Sequence, residues 1–389
     1  GGFLCDAELF EHGCFSISAA EAAAMDPQQR QLLERGYAAL HAASLVRDGL
    51  MGATVAVSVG QWASEFAGVL ARTPAARSVY ASTGFSCSVT CGRVSFALGL
   101  HGPCASYDTA CSASLVASHG SVRALQRSEC DAALSAGVNM LLDPAAMAGN
   151  AVAGFTSVRG RSHTFDARAD GYARGEAVDA VASRCADDAP SRVWMVGSAI
   201  RQDGRSASLT APNGQAQQGL LVAALADAGT AAAALALSEA HGTGTALGDP
   251  IEAGSLAAAV LTEREAALPV GGVKANIGHA EPAAGMTGLL KLSLGLQASG
   301  AIPNAQLHLL NPHVGGALRS VACALAAQLC ALETAEARCG GVSSFGYSGS
   351  ITHTALGFRG VRSLREQQAP TLRGAHQSTN SQVLALPLR

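Results

Sequence analysis

The run Ala132-Ala133-Leu134-Ser135-Ala136-Gly137-Val138 is small or apolar throughout. It has none of the alternation of a strand that wets one face. Such a run reads as a strand buried on both sides, which requires helices above and below its sheet. Val193-Trp194-Met195-Val196-Gly197-Ser198-Ala199-Ile200 and Leu235-Ala236-Leu237-Ser238-Glu239-Ala240 read as further strands of the same sheet system. Composition agrees, since 49% of the 389 residues are apolar, only 14% are charged and 44 are glycine. A chain this poor in charge packs its elements closely, as mixed or parallel sheets between helix layers do.

Several classes of function are excluded. A net charge of -3 with no basic block makes nucleic acid and anionic membranes poor partners. No uninterrupted apolar run reaches the ~18 residues of a membrane span. Eleven cysteines, an odd number irregularly spread, read as reduced thiols in a cytosol-like compartment. Cys87 and Cys91 have no partner pair at zinc-site spacing, so no metal is expected. The start, Gly1-Gly2-Phe3-Leu4, lacks a basic region before an apolar one and reads as a cut end rather than a signal peptide. The expected location is the cytoplasm.

Taken in order, Asp26-Pro27 opens a helix with Leu32, Leu33, Tyr37 and Leu40 on one face. Ala53 to Val59 is a strand, 61–103 is mixed helix and loop, and Arg159 to Glu176 is loop anchored by Phe165 and Tyr172. A second round begins near Val193: a strand, a loop from Gln202 to Gln215, and a helix through Asp227. Val270 to Lys274 is a strand, Ala283 to Leu296 a helix, and late strands fall near Ser320–Ala326 and Thr352–Phe358. Two rounds of strand, elbow and helix predict two similar halves. The first, 1–188, carries a cysteine elbow; the second, 189–361, carries two histidine motifs. Residues 362–389 read as a polar tail or linker.

The cysteine lies in Asp108-Thr109-Ala110-Cys111-Ser112-Ala113-Ser114-Leu115, where a short strand gives way to helical spacing. A cysteine heading a helix meets unpaired backbone N–H groups and the positive end of the dipole, which favours thiolate and offers donors to an oxyanion. A buried, inert cysteine is the plainer alternative.

His241 follows a strand and opens His241-Gly242-Thr243-Gly244-Thr245-Ala246-Leu247-Gly248-Asp249-Pro250. As a dinucleotide fingerprint this fails, because Leu247 stands where the third glycine belongs. It reads better as a strand-end histidine with a hydroxyl-bearing loop whose Thr243 and Thr245 hydrogen-bond an extended amide-containing arm. Lys274-Ala275-Asn276-Ile277-Gly278-His279 supplies a second histidine. One thiol, two imidazoles and a lysine, with no carboxylate relay evident, suit an acyl-accepting thiolate beside two hydrogen-bond donors to a thioester oxygen becoming an enolate.

These motifs resemble those of the beta-ketoacyl synthase (ketosynthase) domains of type I polyketide synthases. The cysteine stretch is similar to that family's DTACSSSL elbow, Glu239 to Thr245 matches EAHGTGT, and Lys274 to His279 matches KxNIGH. Shorter matches run through Met25–Arg30, Thr164–Ala167, Asp170–Glu176 and Leu209–Gly214, so the likeness extends to about Phe358. The resemblance implies a thiolase fold, layered αβαβα with mixed five-stranded sheets, and a homodimer. It implies decarboxylative Claisen condensation in polyketide or fatty acid biosynthesis: an acyl chain on Cys111 is extended by a malonyl-type unit on the phosphopantetheine of an acyl carrier protein. His241 and His279 would hold the extender, Lys274 would support His279, and Thr243, Thr245 and Asn276 would bind substrate. The backbone N–H groups of Cys111 and Tyr347, at the Gly346 turn, would form an oxyanion hole. No bound cofactor is implied.

Departures are as specific. The family's first strand has no counterpart, so the sheet is expected to be one strand short. The GFGGTNAH turn is Gly346-Tyr347-Ser348-Gly349-Ser350-Ile351-Thr352-His353, with Tyr347 where the family has a gating Phe. Two other readings remain: a non-condensing ketosynthase-like protein that only binds carrier protein, and a thiolase, which normally carries a second cysteine where Tyr347 stands.

Overall fold

The computed structural model describes residues 1–62, 64–185, 192–332, 337–359 and 382–385. Its strands in chain order are β1 Val55–Gly60, β2 Cys104–Tyr107, β3 Ala132–Asn139, β4 Ala177–Cys185, β5 Val193–Gln202, β6 Leu235–Glu239 and β7 Leu268–Gly271. They continue with β8 Gly300–Ala301, β9 Cys323–Leu325, β10 Cys330–Ala331, β11 Ala337–Phe345, β12 Ser350–Arg359 and β13 Gln382–Ala385. The longer helices among the described residues are α1 Pro27–Ala42, α2 Cys87–Leu98, α3 Ala113–Gln126, α4 Pro144–Val152, α5 Gly214–Asp227, α6 Gly248–Leu256 and α7 Ala284–Ala298, and all but α4 build the layers. β8 and β10 form a separate short antiparallel pair.

Among the described residues one sheet of eleven strands runs β2-β1-β3-β4-β13-β5-β12-β11-β6-β7-β9. The pairing repeats itself. β1 is parallel to β2 and β3, and β3 is antiparallel to β4. Likewise β6 is parallel to β7 and β11, and β11 is antiparallel to β12. The two halves foreseen from the sequence are therefore present as a topological duplication. β12 has β5 as its antiparallel outer neighbour, and in the equivalent place β4 has β13. The first half thus contributes four strands of its own, and a segment expected to be linker takes the fifth place.

Helices fill the remaining layers. α1 and α2 cover the outer face of β1–β4, α5 and α6 lie against the second half, and α3 and α7 pack between the two halves. That order is αβαβα. Asp26 caps α1, accepting the Gln28 N–H at 2.8 Å, and the helix buries Leu32, Leu33 and Leu40 beneath β3. The central layer is tight. A Cβ on Gly60 would lie 2.3 Å from the Ser114 nitrogen, and one on Gly137 would lie 2.6 Å from Ser114 Cβ and 2.9 Å from Ala283 Cα. The small residues in β1 and β3 are the condition for α3 and α7 to seat there.

Cys111 lies in the elbow from β2 to α3, and His279 lies in the corresponding elbow from β7 to α7. The duplication brings the two elbows face to face. Lys274 is not part of β7, which ends at Gly271; it begins a single helical turn, Lys274–Ile277.

Candidate active site

The elbow before α3 is strained and bolted down. Ala110 has φ +53°, a left-handed conformation unusual for a residue with a Cβ. Ser112 Oγ donates to the carbonyls of Thr109 at 2.9 Å and Ser350 at 2.8 Å, while Ser344 Oγ donates to the Cys111 carbonyl at 2.7 Å. Cys111 is thereby tied to the β11–β12 hairpin. Gly346 lies so close that a Cβ there would stand 2.3 Å from the Thr109 oxygen.

Both imidazoles have an assignable tautomer. Glu281 N–H donates to His279 Nδ1 at 3.0 Å, so the neutral ring carries its proton on Nε2, which stands 3.1 Å from Cys111 Sγ. Phe345 N–H donates to His241 Nδ1 at 3.3 Å, which leaves that ring an Nε2–H as well. The ring centroids are 5.7 Å apart and nearly perpendicular. Burial and the Lys274 charge hold both histidines well below the ordinary range, so both are neutral.

Lys274 does not reach His279. Its Nζ donates to the His241 carbonyl at 2.5 Å and stands 3.5 Å from His241 Nδ1. The lysine therefore braces the first histidine, whereas the resemblance implied support for the second.

Carboxylates surround the site, but among the described residues none is hydrogen-bonded to either imidazole as a relay. Glu252 accepts the N–H groups of His241 at 2.6 Å and Gly242 at 2.8 Å, and Asp249 accepts those of Phe165 and Gly244. Glu239 accepts the Val273 N–H and the Lys291 ammonium, each at 2.5 Å. Glu281 pairs through both oxygens with Arg174, each contact 2.8 Å, and Arg174 also reaches Glu65 at 2.7 Å. Glu239 and Glu281 lie two residues from His241 and His279 in sequence, whereas Glu65 and Arg174 are brought in by the chain fold.

The expected thiolate is also absent at rest. Burial pushes the Cys111 thiol up to about 12, with Glu281 adding to the rise, and Lys274 and the backbone N–H groups of Tyr347 and Cys111 only partly oppose it. Desolvation outweighs the helix terminus, and the resting nucleophile is a neutral thiol.

Cys111, His241 and His279 open on a cavity of about 440 Å³ whose wall includes Thr243, Thr245, Gly346 and Tyr347. The threonine hydroxyls are 3.0 Å apart. Tyr347, 42% exposed, stands between the rings of Trp62 and Phe155, at 5.9 and 5.7 Å. Asn276 is elsewhere: it donates to the Pro303 carbonyl, accepts the Ala305 N–H, and lines a different cleft. Among the described residues no group of His, Cys, Asp and Glu is arranged to hold a metal, and no helix is long and apolar enough to cross a membrane.

Comparison with known proteins agrees with this arrangement. Residues 1–182 match the family "Beta-ketoacyl synthase, N-terminal domain" and residues 193–308 match "Beta-ketoacyl synthase, C-terminal domain". One of the phenolphthiocerol/phthiocerol polyketide synthase polypeptides of Mycobacterium tuberculosis is 41% identical over 362 residues, covering 92% of this chain and 23% of that protein. Erythronolide synthase EryA2 of Saccharopolyspora erythraea is 40% identical over 363 residues, covering 92% of this chain but 10% of its own length. The chain thus spans under a quarter of these relatives. Among solved structures, the ketosynthase from module 6 of the bacillaene synthase of Bacillus subtilis 168 superposes with a TM-score of 0.85 at 32% identity, covering 92% of this chain and 64% of that one. The oxazolomycin ketosynthase domain OzmH KS7 of Streptomyces albus JA3453 gives 0.86 at 34%, covering 93% and 65%. The fold is that of the thiolase-type condensing enzymes. The chain belongs to the beta-ketoacyl synthase family, as a ketosynthase domain of the polyketide synthase kind.

Proposed function

We propose that this chain catalyses decarboxylative Claisen condensation in polyketide assembly, with 1–188 and 189–361 as its two halves and Cys111, His241, His279 and Lys274 as its catalytic set. The observation that carries the reading is the convergence of one thiol and two Nε2–H imidazoles on one cavity. In the first half-reaction Cys111 Sγ attacks an acyl thioester held on the phosphopantetheine of an acyl carrier protein. The backbone N–H groups of Cys111 and Tyr347 take the oxyanion, the bond to the pantetheine sulfur breaks, and the thiol proton leaves with pantetheine.

In the second half-reaction the extender thioester oxygen accepts from His241 and His279 Nε2–H. The carboxylate leaves as carbon dioxide and its bonding electrons form the enolate. The enolate carbon attacks the acyl carbonyl, the C–S bond breaks with its electron pair on sulfur, the His279 Nε2–H hydrogen-bonds the released thiolate, and a proton from water returns Cys111 to the thiol. Neutral rings are what this step requires, since a donor that stays protonated is needed at each oxygen contact. Lys274 holds His241 in place, Thr243 and Thr245 meet the pantetheine arm, and Gly346 lets the Tyr347 turn approach, while Asn276 ties down the 303–305 segment outside the cavity. No resident cofactor enters the scheme.

The partners in this reading are an acyl carrier protein and a second copy of the chain, in the cytoplasm. A homodimer is supported by α4, which buries none of its residues and exposes Met147 and Val152.

Intact-mass spectrometry with a short acyl-pantetheine thioester tests the reading. One acyl adduct is expected on the wild type and none on Cys111→Ala; His241→Ala is expected to load but to yield no condensed product with malonyl carrier protein. Absence of an adduct on folded wild-type protein overturns condensation and leaves a protein that only binds its carrier.

A further inference from the structure

Beside Cys111 the cavity wall holds a polar group that neither the fold nor the condensation scheme uses. Tyr172 lines the cavity, and its ring meets that of His279 edge-on, with 4.8 Å between centroids. His279 in turn stands 3.1 Å from Cys111 Sγ, so the tyrosine lies beside the first carbons of any chain carried on Cys111. The backbone fixes it there. Tyr172 N–H donates to the Phe155 carbonyl at 3.0 Å, and the Tyr172 carbonyl accepts the Ser157 N–H at 2.9 Å. Gly171, φ +133°, lets the two segments close, since a Cβ there would lie 2.7 Å from the Ser157 nitrogen.

The Tyr172 hydroxyl has no hydrogen-bond partner among the described residues, yet it is not one of the atoms sealed in the interior; it opens on the cavity. Its polar neighbours in the wall are differently placed. The Thr243 and Thr245 hydroxyls bond each other, Glu252 accepts two backbone N–H groups, and Asp170 accepts from Ser157 Oγ at 2.5 Å. The unpaired oxygens of Asp203 and Gln217 are buried away from the space. Burial holds the Tyr172 phenol above its usual range, with Cys111 and Glu281 adding to the rise, so the hydroxyl stays protonated and is a donor. A donor left free in a largely desolvated wall is costly until a ligand accepts from it.

We infer that the Tyr172 hydroxyl donates to an oxygen on the β carbon of the acyl chain, so that the site selects β-hydroxyacyl or β-ketoacyl thioesters over fully reduced ones. This selection rests on the condensation proposed above, in which the thioester oxygen belongs to the backbone N–H groups of Cys111 and Tyr347. The next oxygen along such a chain, two carbons on, is the one left for the tyrosine. Ring and hydroxyl then have separate duties: the ring braces His279, and the hydroxyl reads the substrate. The selection also gives the chain a place in a reaction sequence. The step that supplies its substrate leaves the β oxygen in place, as a ketone or as the alcohol formed by reducing it, rather than expelling it as water.

The test measures initial rates of Cys111 acylation by intact-mass spectrometry, with butyryl, 3-hydroxybutyryl and 3-oxobutyryl pantetheine thioesters, for wild type and Tyr172→Phe. Phenylalanine keeps a ring against His279 and removes only the hydroxyl, so the ratio between esters reads the hydrogen bond and any disturbance at His279 cancels. Wild type is expected to load an oxygenated ester about tenfold faster than butyryl, and Tyr172→Phe to abolish that difference. Which oxygenated ester leads tells the hydroxyl from the ketone. Equal rates for all three esters on wild type, or a preference that survives in Tyr172→Phe, overturn the assignment and leave condensation standing. No adduct from any ester on folded wild type instead overturns condensation, and the selection with it. Circular dichroism confirms that the variant is folded.

Discussion

At the scale of the residue, burial decides protonation throughout this protein. His353 is fully enclosed in β12 beside Ser343, whose Oγ lies 2.9 Å from its Nδ1, and burial takes it down to about 4. Burial does the same for His119, again to about 4, with Arg123 adding to the effect. In the unfolded chain both titrate near 6.5. Between those values the unfolded state binds more protons, so stability falls as pH drops below about 6.5 and the loss stops growing below about 4. Asp179 acts oppositely, since burial raises it to about 6 and it is protonated earlier in the folded state. A comparison isolates one group: His353→Asn should flatten the fall in unfolding free energy between these limits by one proton's share. Urea titrations at stepped pH measure it, and an unchanged slope removes His353 from the account.

The same scale separates what a sequence can reveal from what it cannot. His241 and His279 stand in local motifs with glycine beside a strand end, and both line one cavity with Cys111, which His279 contacts directly. The resting thiol is not, because it depends on desolvation by residues from both halves rather than on the helix terminus that the motif displays. Lys274 has the same lesson: its neighbour in sequence is His279, but the helical turn it begins points its ammonium at His241.

At the scale of the element, the site hangs on two ties. Arg174, in the loop before β4, joins Glu281 and Glu65, with all three side chains largely buried. Removing the cation strands two carboxylates in the interior. Arg174→Met is expected to lower unfolding free energy by about 3–5 kcal/mol in denaturant titrations. It should also slow extension more than acyl loading, because Glu281 N–H sets the His279 tautomer. The second tie is steric. Gly137→Ala puts a methyl against both central helices, at Ser114 and Ala283, and should cost about 1–3 kcal/mol with a matching loss of loading. Wild-type stability in either variant contradicts the corresponding tie.

Elements were legible where apolar character was continuous, as in β3 and α7. β4 was not, because Asp179, Ser183 and Arg184 interrupt its pattern. Asp179 turns out to be half-buried with the Thr287 hydroxyl donating to it at 2.5 Å, a partner supplied from α7 in the other half. A polar residue satisfied across the fold looks, in one dimension, like a loop.

At the scale of the whole molecule, the duplicated order of strands was readable only as two rounds of strand, elbow and helix, while the seam between them was not. β13 joins that seam, pairing 382–385 with 182–185 on one side and with Met195 and Trp194 on the other. Partners about two hundred residues apart in sequence close late in folding, because the loop entropy is met before the contact rewards it. Time therefore enters the architecture. A refolding chain should regain its helical signal first and its capacity to acylate Cys111 later, since nucleophile and histidines belong to different halves. Stopped-flow circular dichroism run beside quenched acylation would measure that lag, and coincident rates would mean that the halves assemble together. During the interval β4 carries an open edge, and a strand edge without a neighbour recruits strands from other chains. The molecule's hazard in the cell is thus one of timing: it is most prone to aggregate not when it is unfolded, but when it is nearly finished.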